Sequence, residues 1–376
     1  MDEETLRRLA IWRFEQGDQP EQIWQRLGRS RRWFFKWLAR YRVEGAAALA
    51  GRSRAHHVHP ATTAEPVRAK VRALRERHPN WGERTIAQEL RTATSHATIG
   101  RIQRASGQTR APRPRLVPDV RYPRIVPAAA LELVEYDFFG PRWIKGFGRV
   151  VGYHTMDVFS RSVCLGAAGT REEATQIEYW WALLQRFGVP AVVQTDNEFG
   201  IPNFGLAGGR PLFTRLTRFF IALGIEHRCI PIGEPFRNGH VERFNRTYRY
   251  DFYNRETFAD LAQLRRRQRV FERYFNQRRH HAGIGYAVPS SRFPPERRQL
   301  SGRHELDLSR LAEGRVSYVR RVSSEGEIAI LNSQLVQLDP ALAGGYVTAI
   351  VHTPDLDLTV LTVDGELVPA RRRGAR

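Results

Sequence analysis

Three carboxylates stand out by position rather than by number. Asp137 closes the apolar run LELVEYD, Asp196 closes PAVVQTD, and Glu242 lies in RNGHVERFNR among Arg237, Arg243 and Arg246. Acids at strand ends can project from a sheet edge into a shared crevice. If the two strands are neighbours and the helix after Asn238-Gly239 packs on their sheet, the three acids converge. Alone they would repel one another, and at least one would take up a proton more readily. Hard divalent cations such as Mg2+ prefer oxygen ligands and keep water, so a few carboxylates and substrate phosphate oxygens hold them. Two such ions, about 4 Å apart, stabilise the attacking and leaving oxygens of an in-line phosphoryl displacement.

Charge indicates the substrate for such chemistry. The 376 residues carry a formal charge of +21, with a pI near 10.9. That balance calls for a polyanionic partner, of which nucleic acid is the commonest. Residues 1–127 hold 26 basic and 12 acidic side chains, about two thirds of the excess. Nearly all the bases are Arg, which suits bidentate phosphate contacts and guanine edges. Cys164 and Cys229 are the only cysteines, too few for a zinc-finger cluster. His56, His57 and His59 cluster without an acid or Cys at ligand spacing, so they are read as a linker. No apolar run is long enough to span a bilayer, and MDEETLRRLA lacks the features of a signal peptide. A cytoplasmic, nucleoid-associated protein is expected.

The elements that must position these groups follow from periodicity and caps. DEETLRRLAIWRFEQ is a helix ended by Gly17. A short helix from Pro20 to Leu27 is followed by Gly28, and Ser30 caps a third, RRWFFKWLARYRVEG. Helix, tight Gly turn and basic helix make a helix-turn-helix over 1–50, with Arg31, Arg32, Trp33 and Lys36 facing DNA and Phe34, Trp37 and Leu38 in the core. A second helical, helix-turn-helix-like domain is expected over 60–106, with Ser95 as a cap. The Pro/Arg linker 107–127 runs extended, and its Arg113 and Arg115 can track a phosphate backbone. From 128 to 295 strands and helices alternate in the manner of a mixed α/β sheet. Short strands split by turn residues over 310–370 read as a small β-barrel, followed by a basic tail, RRRGAR.

EYDFFG, QTDNEFG and PFRNGHVERFNRT, in that order, resemble the catalytic core of the DDE transposases and retroviral integrases, closest to the integrase-like transposases of bacterial insertion sequences. HTMDVFSR resembles the family's second strand, and FNQRRHHAGIGYAVPSSRF its closing helix and the segment after it. The resemblance covers about 128–295. It implies an RNase H-like core with Asp137, Asp196 and Glu242 as catalytic and metal-binding residues for two Mg2+ ions, with Mn2+ able to substitute. Asp157 is a rival acid read as structural, because its family counterpart is not catalytic. Asn245, Arg246 and Arg249 share Glu242's helix face and are expected on DNA. Two departures stand out. DNEFG lacks the glycine that relatives place between Asn and Glu-Phe, and a Gly-rich insertion leaves 45 residues between Asp196 and Glu242. Glu198 is read as a loop acid.

The activity implied is that of a transposase: it binds the ends of a mobile element, cleaves to free 3′-hydroxyls and joins them to target DNA. Its partners would be double-stranded DNA, further copies of the chain as a dimer or tetramer, and accessory transposition proteins, with no membrane. The rival readings are a non-catalytic DNA-binding regulator and a structure-specific nuclease.

Overall fold

The computed structural model describes residues 1–50, 62–90, 94–109, 120–196, 213–303, 305–330 and 334–372. Arg113, Arg115, the histidines at 56, 57 and 59, Glu198 and the Gly-rich stretch 200–210 lie outside the described residues, as do 373–376 of the tail. The chain divides into two compact units, 1–64 and 65–376.

The first unit holds α1 (Glu3–Glu15), α2 (Pro20–Arg26) and α3 (Arg31–Glu44). Asp2 accepts the Thr5 amide at 2.9 Å and Ser30 the Trp33 amide at 3.1 Å, so a side-chain oxygen caps two of the three starts. Between α2 and α3 the chain must turn within four residues. Gly28 does this at φ +61°, with the Arg29 amide reaching the Trp24 carbonyl at 2.8 Å and its own amide the Gln25 carbonyl at 3.1 Å. This is a Schellman closure, which favours glycine at that position. Ile11, Ile23, Phe34, Trp37 and Leu38 form the buried core.

The second unit opens with α4 (Glu65–Arg77), α5 (Glu83–Leu90) and α6 (His96–Ala105), packed around Val71, Trp81, Ile86, Ile99 and Ile102. An eight-stranded sheet follows, in the order β10-β9-β6-β5-β4-β1-β2-β3. β1 (Leu133–Ile144), β2 (Gly148–Asp157) and β3 (Val163–Ala168) form an antiparallel meander. β4 (Val192–Thr195) and β5 (Glu226–Cys229) add in parallel.

Strand alternation assigns the faces. Val134, Tyr136 and Phe138 point to α7 (Glu173–Arg186) and α8 (Arg215–Ala222), where Trp180, Trp181, Phe219 and Phe220 are buried. Phe139 lies on the other face, against Val241, Phe244 and Tyr248 of α9 (Gly239–Asp251) and Phe271 and Phe275 of α10 (Leu261–Gln277). Asp137 keeps the parity of Phe139, so it faces α9.

The strands expected at the C-terminal end form, but not as a self-contained barrel. β6 (Gly314–Arg321) pairs in parallel with β5 and continues the core sheet, followed by β9 (Tyr346–Thr353) and β10 (Asp357–Leu361). β7 (Glu327–Ile330), β8 (Gln334–Gln337) and β11 (Arg371–Arg372) make a separate three-stranded sheet. The physical reason is edge pairing: β6 covers the backbone groups that β5 would otherwise leave open. Ile221 and Cys229 share one core with Val316, Ile328 and Val347. Among the described residues the strands do not close into a barrel.

The α4–α6 segment is tied to the end of α9. The Trp81 indole N–H donates to Asp251 Oδ2 at 3.2 Å, the His78 ring stacks on Trp81 at 3.8 Å, and Arg279 lies 3.5 Å from the same carboxylate. Burial alone would raise Asp251. The His78 imidazole, with Nδ1 3.8 Å from Oδ1, the Arg279 charge and the Trp81 N–H outweigh it and hold the carboxyl below its usual range. A lowered folded-state value means stability that is present above the unfolded pKa and lost as pH falls through the folded one. Asp251→Asn is therefore expected to cost about 1–3 kcal/mol at neutral pH, with the deficit narrowing below the ordinary value of 3.8. Thermal melts at pH 7 and pH 3 check this; an equal deficit at both would rule out a role for the charge.

Candidate active site

Asp137 lies five residues into β1 rather than at its end, because the strand runs on to Ile144 across an irregularity between Phe139 and Arg142. β4 pairs with β1 through Leu133–Val192, Val134–Val193 and Glu135–Gln194. Continued two positions, that register sets Asp196 beside Asp137. Glu242 is in the first turn of α9. Burial raises its carboxyl, and the negative charge of Asp196 raises it further, so the two acids are within electrostatic reach. Asp137 and Glu242 both line an open cavity of about 670 Å3 between β1 and α9. Asp196 is not in its wall, and among the described residues no three His, Cys, Asp or Glu side chains group closely enough to hold a metal ion.

The cavity has a basic rim. Arg246 and Arg249 line it as exposed side chains, with Arg142 from the far end of β1. Arg142 was not anticipated; its signal was the GPRW break in the strand, which turns it out toward α9. Arg237, by contrast, pairs with Glu234 at 2.9 Å and lies 3.9 Å over the Tyr122 ring, while Arg243 is exposed.

Asn245, expected on DNA, lines the same cavity as Asp137 and Glu242. Its amide nitrogen donates to Asp137 Oδ2 at 2.7 Å, and its carbonyl oxygen lies 2.6 Å from His154 Nδ1. The amide is thus bonded at both ends within the protein. The helix face was legible in the spacing; the partner was not, because it comes from another strand. His154 is fully buried, which pushes its imidazole down to about 4 and keeps it neutral.

Glu135 was also missed. Its Oε2 accepts the amides of His240 and Val241, each at 2.8 Å, so a buried acid of β1 caps the start of α9. Burial lifts its carboxyl to about 7, against the pull of those two hydrogen bonds. The Asn238 side chain adds a bond to the Tyr136 carbonyl at 3.0 Å. The signal was an acid inside an apolar run: a charged group there needs a partner. Asp157 stands at the end of β2 rather than mid-strand and accepts the Leu131 amide at 2.7 Å and the Ser160 amide at 2.6 Å, in keeping with a structural reading.

In the first unit, Arg31, Arg32 and Lys36 are exposed on the opening turns of α3. Trp33 is half-buried and packs partly on that unit's core.

Residues 223–289 match an integrase core domain, and residues 1–50 and 33–103 match homeodomain-like domains. The chain is 36% identical over 107 residues to the 39.2 kDa protein of insertion element IS476 of Xanthomonas euvesicatoria, covering 27% of each chain. It is 29% identical over 105 residues to the 31.7 kDa protein of insertion element IS407 of Burkholderia multivorans, covering 27% of this chain and 34% of that one. The chain thus spans about a third or less of the length of these curated relatives. The HTLV-2 integrase catalytic core domain in complex with magnesium is similar at 16% identity and a TM-score of 0.31, over 44% of this chain and 99% of that one. The domain matches define the class, a helix-turn-helix protein with an integrase core. The curated relatives are insertion-element proteins, and the chain is similar to these over the matched segments.

Proposed function

We propose that this chain is an insertion-element transposase that cleaves at element ends to free 3′-hydroxyls and joins them to target DNA. One observation carries the reading: Asp137 and Glu242, distant in sequence, line one open cavity rimmed by Arg142, Arg246 and Arg249. These two acids face a space large enough for a phosphodiester.

The donor set fits a divalent cation. Asp137, Asp196 and Glu242 offer only oxygen, and Glu242 is raised by burial and by Asp196's charge, a repulsion that a cation would relieve. Asp137 and Glu242, which face the cavity, would hold it together with substrate phosphate oxygens, and Asp196, outside the cavity wall, would have to move in to join them. When bound, Mg2+ or Mn2+ supplies Lewis-acid stabilisation of the charge that develops on the transferring phosphoryl group. The chain's own residues do the rest. Arg142, Arg246 and Arg249 draw the DNA backbone into the cavity by charge-assisted contacts. Asn245 keeps the Asp137 carboxylate directed, and Glu135 and Asn238 fix the start of α9 and hence Glu242. In cleavage a water oxygen bonds to phosphorus and the 3′-oxygen leaves with a proton. In joining, that 3′-hydroxyl bonds to a target phosphorus and the target's own 3′-oxygen leaves.

The helix-turn-helix units would hold the element ends through α3, and pairing two ends calls for at least two copies of the chain. The test is incubation with labelled element-end DNA and Mg2+ or Mn2+, reading joined product. Binding without cleavage or joining would overturn the reading in favour of a DNA-binding regulator. Cutting of branched DNA without joining would favour a nuclease.

A further inference from the structure

We propose that His154 and Gln268 act, through Asn245, as positioning residues that fix the orientation of the Asp137 carboxylate. The proposal rests on the reading of Asp137 as a cation ligand.

The donors and acceptors allow one order only. The Asp137 carboxylate accepts, so the Asn245 group 2.7 Å from it must be the NH2. The Asn245 oxygen therefore faces His154 Nδ1 at 2.6 Å and needs a donor there. A neutral imidazole with its proton on Nδ1 leaves Nε2 as an acceptor, and Gln268 Nε2 lies 3.4 Å from it while also donating to the Gly166 carbonyl at 3.1 Å. The chain runs Gln268 to His154 to Asn245 to Asp137, each member donating to the next.

The imidazole is held on every side. It is fully buried; Phe139 stacks on it at 5.5 Å and Tyr248 meets it edge-on at 4.3 Å. His154 is also the cross-strand partner of Asp137 in the β1–β2 register. Gly152 makes the room: a Cβ there would stand 2.9 Å from Nε2. An apolar ring would fill this core position without the desolvation that a histidine carries. Neighbouring polar groups of the same face, half-buried Asn276 and buried Glu272, bond the backbone of β3 and so hold a strand. His154 instead bonds a side chain that ends on a candidate ligand. Loss of its donor leaves the Asn245 oxygen without that partner and the amide held only by its bonds to Asp137 at 2.7 Å and the Phe138 carbonyl at 3.3 Å, and an outward turn removes the hydrogen bond from Asp137.

The test uses the full chain and Mn2+ alone, then Mn2+ with element-end DNA. His154→Phe keeps the ring volume and loses both polar atoms. Outer-shell partners of this kind change metal affinity by about 10–100-fold, so Mn2+ affinity by calorimetry should fall about tenfold or more. The Mn2+ concentration for half-maximal joining should rise by the same factor, with DNA-end affinity unchanged. His154→Asn places an amide nitrogen where Nδ1 stood and should bring both values back to within about threefold of the unmodified chain. Gln268→Leu leaves the imidazole in place and should shift Mn2+ affinity in the same direction, which keeps the test open if His154→Phe does not fold. The proposal is overturned if His154→Phe or Gln268→Leu titrates like the unmodified chain, or if His154→Asn is no better than His154→Phe. Asp137→Asn separates the two levels: if it leaves Mn2+ binding unchanged, the assignment of the site itself has failed.

Discussion

Glu242→Gln is expected to lower cleavage and joining by at least about 10³-fold while element-end binding and folding persist. Loss of a cation ligand removes several kcal/mol of transition-state stabilisation, and each 1.36 kcal/mol is about tenfold in rate. Stability should move the other way, if at all. The Glu242 carboxyl is raised by burial and by the charge of Asp196. A neutral amide of the same shape ends that repulsion, so the melting temperature should be equal or higher. A structural carboxylate would show the opposite pattern. Measuring product yield and thermal melting on one preparation distinguishes the two, and near-normal joining by Glu242→Gln would remove Glu242 from the site. Asp137→Asn and Asp196→Asn should match it in lost activity. Asp137→Asn should also loosen Asn245, whose amide donates to it at 2.7 Å.

The second large effect is on binding. Replacing Arg31, Arg32 and Lys36 together by Ala should weaken element-end affinity by about two to three orders of magnitude at physiological salt. The slope of log affinity against log salt should fall by about 2.7, from roughly 0.9 per neutralised phosphate. The unit should still fold, because these three side chains are exposed while Phe34, Trp37 and Leu38 supply its core. Fluorescence anisotropy across a salt series reads both quantities. An unchanged slope would move the DNA face of this unit elsewhere. Trp33 is left out of the variant because its half-buried ring packs on that core.

Much of the molecule is legible in its sequence because the signals are local. The caps at Asp2, Ser30 and Ser95 accept the amides that their positions imply. Gly28 closes α2 because no other residue takes its φ as easily. α9 starts at Gly239, where the Asn238-Gly239 pair places it. Glu242 and Asn245 share a face by helical period alone. Where the reading fell short, the missing information lay in another strand. Asn245 was expected on DNA, and its own helix cannot say that His154 and Asp137 also stand opposite it. The C-terminal strands were read as a separate barrel because nothing in RVSYVRRV announces that β5 has an open edge beside it.

The sequence by itself determined the order of elements, the basic opening third, and the three acids as the residues to examine, since composition, period and capping act over a few residues. Tertiary structure decided what those acids are near. The β1–β4 pairing runs as far as Glu135–Gln194 and leads toward Asp137 and Asp196, and strand parity turns Asp137 toward α9. Glu135, a residue in an apolar run, receives the first amides of that helix and so sets where Glu242 stands. Such placements depend on pairing and burial between segments about a hundred residues apart. A buried polar group must find its partner wherever the fold brings one, and no local pattern names it.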